Sequence, residues 1–98
     1  MDALAELWSW YERLRLEPGL TVTWRGPEPD RAKSSASLCA EGAARVAELI
    51  AWESGEAQLL LGDVASGEVT DEALQLTDPD ALAQVVGRLR KWMFASNV

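Results

Sequence analysis

At 98 residues and 10.7 kDa the chain has the size of one domain, 1–98, with no room for two independent cores. Its 48% hydrophobic content and five Trp exclude a disordered chain and supply enough apolar mass to fold without disulfides or a metal. A single cysteine excludes an internal disulfide, the absence of His removes the commonest general base and zinc ligand, and a net charge of −7 disfavours nucleic acid or an anionic membrane as partner.

Leu4, Leu7, Trp8, Tyr11 and Leu14 recur at helical spacing and predict an amphipathic helix over 2–16, stopped by Glu17-Pro18-Gly19. The alternating run Leu20-Thr21-Val22-Thr23-Trp24-Arg25 predicts a half-buried strand, and Gly26-Pro27-Glu28-Pro29-Asp30 a loop. Ser35–Ala40 alternates again, and Glu41-Gly42 makes a turn. Longer strands are expected at about 44–53 and 56–64, joined through Glu53-Ser54-Gly55-Glu56 as a hairpin. After a turn at Ala65-Ser66-Gly67, a last strand is expected at about 68–76. Asp78-Pro79-Asp80 then supplies a cap, a first-turn proline and an acid at the positive end of a helix dipole. Leu82, Val85, Val86, Leu89, Trp92 and Met93 mark that helix's apolar face, with Arg88, Arg90 and Lys91 near its carboxyl end.

The order α-β-β-β-β-β-α predicts an α+β fold: an antiparallel meander of four to five strands with an N-terminal and a C-terminal helix on one face. Alternation turns Leu20, Val22, Trp24, Ala36, Leu38, Ala40, Ala57, Leu59, Leu61, Leu74 and Leu76 towards the helices. The other face then carries Thr21, Thr23, Ser35, Ser37, Gln58 and Asp71, together with Ile50, Trp52 and Leu60. Three large apolar residues exceed what a plain solvent face needs, and Trp is enriched at the energetic centres of protein interfaces. The expected partner-binding residues are therefore Ile50, Trp52 and Leu60, with Glu53, Glu56, Asp63, Glu68, Asp71 and Glu72 as an acidic rim that also takes in Glu48. Arg25, beside the Pro-rich loop, is a further candidate contact.

Charge is unevenly spread. Residues 41–80 hold ten acids against Arg45 alone, which favours a basic protein as partner. No nucleophile with a base, metal constellation or phosphate loop is present, so neither catalysis nor a cofactor is expected. Cys39 reads as a small strand residue, buried or half-buried. The start Met1-Asp2-Ala3-Leu4-Ala5-Glu6 is acidic where a secretory signal is basic, and no apolar run approaches the roughly 18 residues that span a bilayer. The expected location is the cytoplasm, where a lone thiol stays reduced.

Three stretches together resemble a known family: Trp24-Arg25-Gly26-Pro27-Glu28-Pro29, Lys33-Ser34-Ser35-Ala36-Ser37-Leu38, and Trp52-Glu53-Ser54-Gly55-Glu56-Ala57 with Leu61-Gly62-Asp63-Val64 and Gly67-Glu68-Val69. In order and spacing they look like the TriTu family of bacterial immunity proteins. The resemblance covers most of residues 20–76. It implies a protein of polymorphic toxin systems that binds a cognate toxin domain and blocks it. Many such toxins attack nucleic acid through basic clefts, which an acidic inhibitor suits. The alternatives are an acidic secretion chaperone or adaptor that holds a partner without inhibiting it, a small carboxylate enzyme, and a homodimer across the open sheet face. The free protein is expected to be a monomer or weak homodimer.

Overall fold

The computed structural model describes residues 2–27 and 34–95. Helix α1 (Ala3–Leu14) leads into strands β1 (Thr21–Arg25), β2 (Ser35–Glu41), β3 (Arg45–Trp52), β4 (Glu56–Asp63) and β5 (Val69–Gln75), and helix α2 (Pro79–Met93) follows. The five strands form one antiparallel sheet in chain order, β1-β2-β3-β4-β5. This is the expected α+β meander.

Both helices begin where side chains satisfy their free amides. Asp2 Oδ1 accepts from the Ala5 N–H at 3.1 Å, and Asp78 Oδ1 from the Ala81 N–H at 2.8 Å. Pro79 fits the first turn of α2 because its missing N–H has no helical acceptor there. At its far end α1 stops two residues before the expected 16. The Leu16 and Glu17 N–H groups donate to the Arg13 and Leu14 carbonyls, tightening the chain into shorter-range bonds ahead of Pro18. Gly19, at φ +88°, then turns it into β1.

The core lies between the sheet and the helices. Leu7 and Leu14 of α1 and Leu82, Val86 and Leu89 of α2 meet Leu38, Leu49 and Leu59 from the three central strands, all almost fully buried. Removing one such side chain from water is worth roughly 1.5–3 kcal/mol. Ala40, Ala47, Ala51 and Ala57 share the layer, and their small size lets the helices approach the strands closely. Helix α1 packs over β1, β2 and β3, and α2 over β3 and β4. β5 lies at the margin, held to the core through Leu74 and to α2 by an exposed Glu72–Arg88 ion pair.

Two long-range links fix the helix ends. Arg45, at the start of β3, donates from Nη1 to the Trp92 carbonyl at 2.9 Å and stacks its guanidinium 4.2 Å above the indole. Arg90 pairs with Glu17 at 2.5 Å, joining α2 to the α1–β1 connection. In the β3–β4 hairpin Gly55 adopts φ +94°, and its carbonyl accepts from the Leu76 N–H at 2.7 Å. A Cβ there would lie 2.8 Å from the Leu76 carbonyl oxygen, so both conformation and space call for glycine.

Candidate interaction surface

The far side of the sheet is the surface that no described helix covers. Strand register builds it in rows. One runs Arg25–Ser37–Ile50–Gln58–Ala73 and the next Thr23–Cys39–Glu48–Leu60–Asp71. A third runs Thr21–Glu41–Val46–Gly62–Val69, and Ser35 pairs with Trp52 at the hairpin end. Ile50, Trp52 and Leu60 are half-buried, while Val46 and Val69 are 37% and 65% exposed. The apolar patch expected from alternation is therefore present on this face.

Its relief follows from side-chain size. Ser35, Ser37 and Cys39 of β2 are small, and they leave a valley between Thr23 and Arg25 on β1 and Glu48, Ile50 and Trp52 on β3. Two adjoining depressions of about 250 and 290 Å³ occupy it, and Arg25, Ser37 and Glu48 border both. Gly26 closes the β1 end. It has φ +94°, and a Cβ there would meet the Ser35 carbonyl oxygen at 2.6 Å. Most of the Pro-rich loop, residues 28–33, lies outside the described residues.

The face is acidic. Glu41, Glu48, Glu56 and Asp71 share it with Arg25, the one base that the described strands turn to this face, and Gln58 Nε2 donates to Asp71 Oδ1 at 2.7 Å. Glu53 sits exposed in the hairpin turn at one end, and Glu68 is exposed in the β4–β5 turn at the other.

Two expected rim residues lie elsewhere. Asp63 has the same alternation as Leu59 and Leu61, so its side chain is on the helix side, and Oδ1 accepts from the Ala65 and Ser66 N–H groups at 3.0 and 3.2 Å. It shapes the turn. Glu72 alternates with Leu74 and faces α2, where Arg88 donates to its carboxylate. That bond holds the Glu72 carboxyl below the usual range and raises the Arg88 guanidinium. Nearness in sequence to the apolar patch placed both acids on the rim, whereas the two-residue period excludes them. The same period places Glu41 and Val46 on the open face, and sequence reasoning passed over both.

Cys39 is half-buried in the valley. Burial raises its thiol above the ordinary value, the neighbouring Glu48 and Glu41 raise it further, and a Thr23 hydroxyl bond and Arg25 partly oppose them. Such a thiol stays protonated and is a poor nucleophile.

On the helix side, Trp8, Tyr11 and Trp24 form an aromatic cluster with centroid separations of 5.0–5.6 Å. Trp24 Nε1 donates to the Gly26 carbonyl at 2.8 Å, which anchors the end of β1 and so the base of Arg25. A further depression of about 280 Å³ is lined by Leu61, Arg88, Lys91, Trp92 and Ala95. Among the described residues no group of three or more Cys, Asp or Glu is placed to hold a metal ion, and no helix is long and apolar enough to cross a membrane.

Compared with protein-family models, curated proteins and solved structures, the chain matches none of them. The likeness to TriTu immunity proteins accordingly rests on the three sequence stretches quoted above.

Proposed function

We propose that the protein works by binding: its uncovered sheet face docks on a basic partner and occludes it. The partner class that fits best is a bacterial toxin domain acting on nucleic acid, the role that the TriTu resemblance implies. One observation carries the reading. Ile50, Trp52 and Leu60 form a half-buried apolar centre on a face that no described helix covers and whose described charged residues are mostly acids. An apolar centre containing Trp with a charged surround is the usual energetic anatomy of an interface.

Size and charge agree with that role. Five strands spaced about 4.8 Å apart and of five to eight residues give a face of roughly 24 × 24 Å, which with its flanking turns approaches the ~800 Å² that one partner contributes to a standard interface. Acidic charge on the face would speed encounter with a basic cleft and disfavour acidic partners. It also opposes a symmetric homodimer, in which the same acids would face one another.

The test is co-purification with the product of the adjoining gene, followed by an assay of that product for toxin activity. Wild type is expected to bind and inhibit, and the variant Trp52→Ala/Glu53→Lys/Glu56→Lys to fold but bind weakly. A complex that forms and stays active would show a chaperone or adaptor instead. Binding unaffected by the triple variant would remove this face from the interface.

A further inference from the structure

The valley holds two side chains that the fold leaves unused. Every other Trp has a ring or cation partner: Trp8 and Trp24 pack with Tyr11, Trp10 lies under Arg13 and Trp92 under Arg45. Among the described residues Trp52 has none, although it is half-buried and borders the depression. Glu48 is likewise half-buried at the junction of the two depressions, and no hydrogen bond or ion pair joins it to another described residue. A half-buried carboxylate without a partner loses hydration and gains nothing in return. Both groups attract a cation, one through its negative charge and the other through the face of its ring.

We infer that this depression is an anchor pocket for an arginine side chain of the partner, whose guanidinium stacks on Trp52 and donates to the Glu48 carboxylate. The inference rests on the docking role proposed above and names the group that the site receives. Ile50 supplies an apolar wall for the aliphatic stem, and the Ser35 and Ser37 hydroxyls supply acceptors on the floor. Arginine fits better than lysine because a planar guanidinium can stack and form a fork of hydrogen bonds at once. The chain already makes the stacking contact twice, at 4.5 Å for Arg13 on Trp10 and 4.2 Å for Arg45 on Trp92.

Arg25 borders the same depression and carries the opposite charge to Glu48. The two lie two strands apart and one pair out of register, since Arg25 is in the row of Ile50 and Glu48 in that of Cys39. Arg25 therefore works against a bound cation and limits how tightly the pocket holds it. The two walls give opposite expectations. Removing the charge of Glu48 weakens arginine binding, and removing that of Arg25 strengthens it. An anionic occupant would reverse both signs.

The experiment titrates N-acetyl-arginine amide, its neutral analogue N-acetyl-citrulline amide and N-acetyl-glutamate amide into the full chain. The five indole N–H resonances are followed by nitrogen–proton NMR. Arginine amide is expected to shift the Trp52 resonance saturably at millimolar concentration, and the other two probes are expected to leave it in place. Glu48→Gln should weaken the arginine effect roughly tenfold, the loss of one charge-assisted contact at a half-exposed site. Arg25→Gln should tighten it severalfold. Unmoved resonances for the other four indoles would show that each variant is folded. Equal shifts from citrulline, preference for glutamate, indifference to Glu48→Gln, or no shift with any probe would each overturn the inference. If the chain still binds and inhibits the toxin domain, and Glu48→Gln leaves that affinity unchanged, the arginine pocket falls while the docking role stands.

Discussion

Leu49 and Ile50 are neighbours on β3 that point to opposite faces, so a pair of alanine substitutions tests the whole assignment of inside and outside. Leu49 is 0% exposed and stands in register with Leu38 and Leu59, beneath both helices. Leu49→Ala removes buried methyl groups and leaves a cavity that the packed helices cannot fully close. The expected cost is about 3 kcal/mol, within the range seen for buried leucines. For a domain of this size that lowers the melting temperature by roughly 12–20 °C. Ile50 is only half-buried, with no described helix above it. Solvent fills the space that Ile50→Ala vacates, and the cost falls to about 1 kcal/mol of lost area burial. Urea unfolding followed by tryptophan fluorescence measures both. Equal losses, or a larger loss at Ile50, would refute the register of the central strand and with it the open face.

Further expectations concern single groups. Gly55→Ala should destabilise by at least ~1–2 kcal/mol, since the position needs a left-handed backbone and has no room for a Cβ beside Leu76, and calorimetry reads it directly. Cys39 should react with a maleimide or iodoacetamide more slowly than a free thiol, with its rate midpoint above the ordinary thiol pKa. Glu48→Gln should move that midpoint down, because removing a nearby negative charge favours the thiolate. The Glu72 carboxyl, held low by Arg88, should titrate below the usual glutamate range in a carboxyl-detected NMR series. Because its folded pKa is depressed, whatever stability the pair supplies is present above the unfolded carboxyl pKa and disappears as pH falls through the folded one. Arg88→Gln should return the Glu72 carboxyl towards its ordinary value.

The sheet was readable because its signal is local. Val22 and Trp24, Leu38 and Ala40, and Leu59 and Leu61 each mark a face by alternation, and the Asp78-Pro79 start of α2 is a capping signal complete within four residues. Strand ends were less sharp. β3, expected at about 44–53, spans Arg45–Trp52, because pairing stops where Gly42 and Gly55 turn the chain, and hydropathy does not mark where hydrogen bonding ends. The apolar part of the candidate surface, Ile50 with Trp52 and Leu60, followed from the same alternation. Its acidic part was only partly legible: Asp63 and Glu72 were grouped with the rim by sequence proximity, although their own alternation sends them to the helix side. The valley was hidden altogether. It arises where small β2 residues lie between Arg25 and Glu48, two strands apart, and only the register of two hairpins brings those together. The Arg45–Trp92 contact, 47 residues apart, is equally non-local.

Comparing charge reversal on the two sides of the sheet tests the docking role most directly. Glu48→Lys/Asp71→Lys changes the open face, and Glu6→Lys/Glu12→Lys changes α1 by the same charge. Inhibition of the proposed toxin partner, titrated with each variant, gives two constants to set against wild type. The expected result is a loss of at least about a hundredfold for the open-face variant, as for hot-spot residues, and near-wild-type inhibition for the helix variant. Equal losses from the two, or a loss confined to the helix variant, would contradict the assignment of the uncovered face as the site that meets the partner.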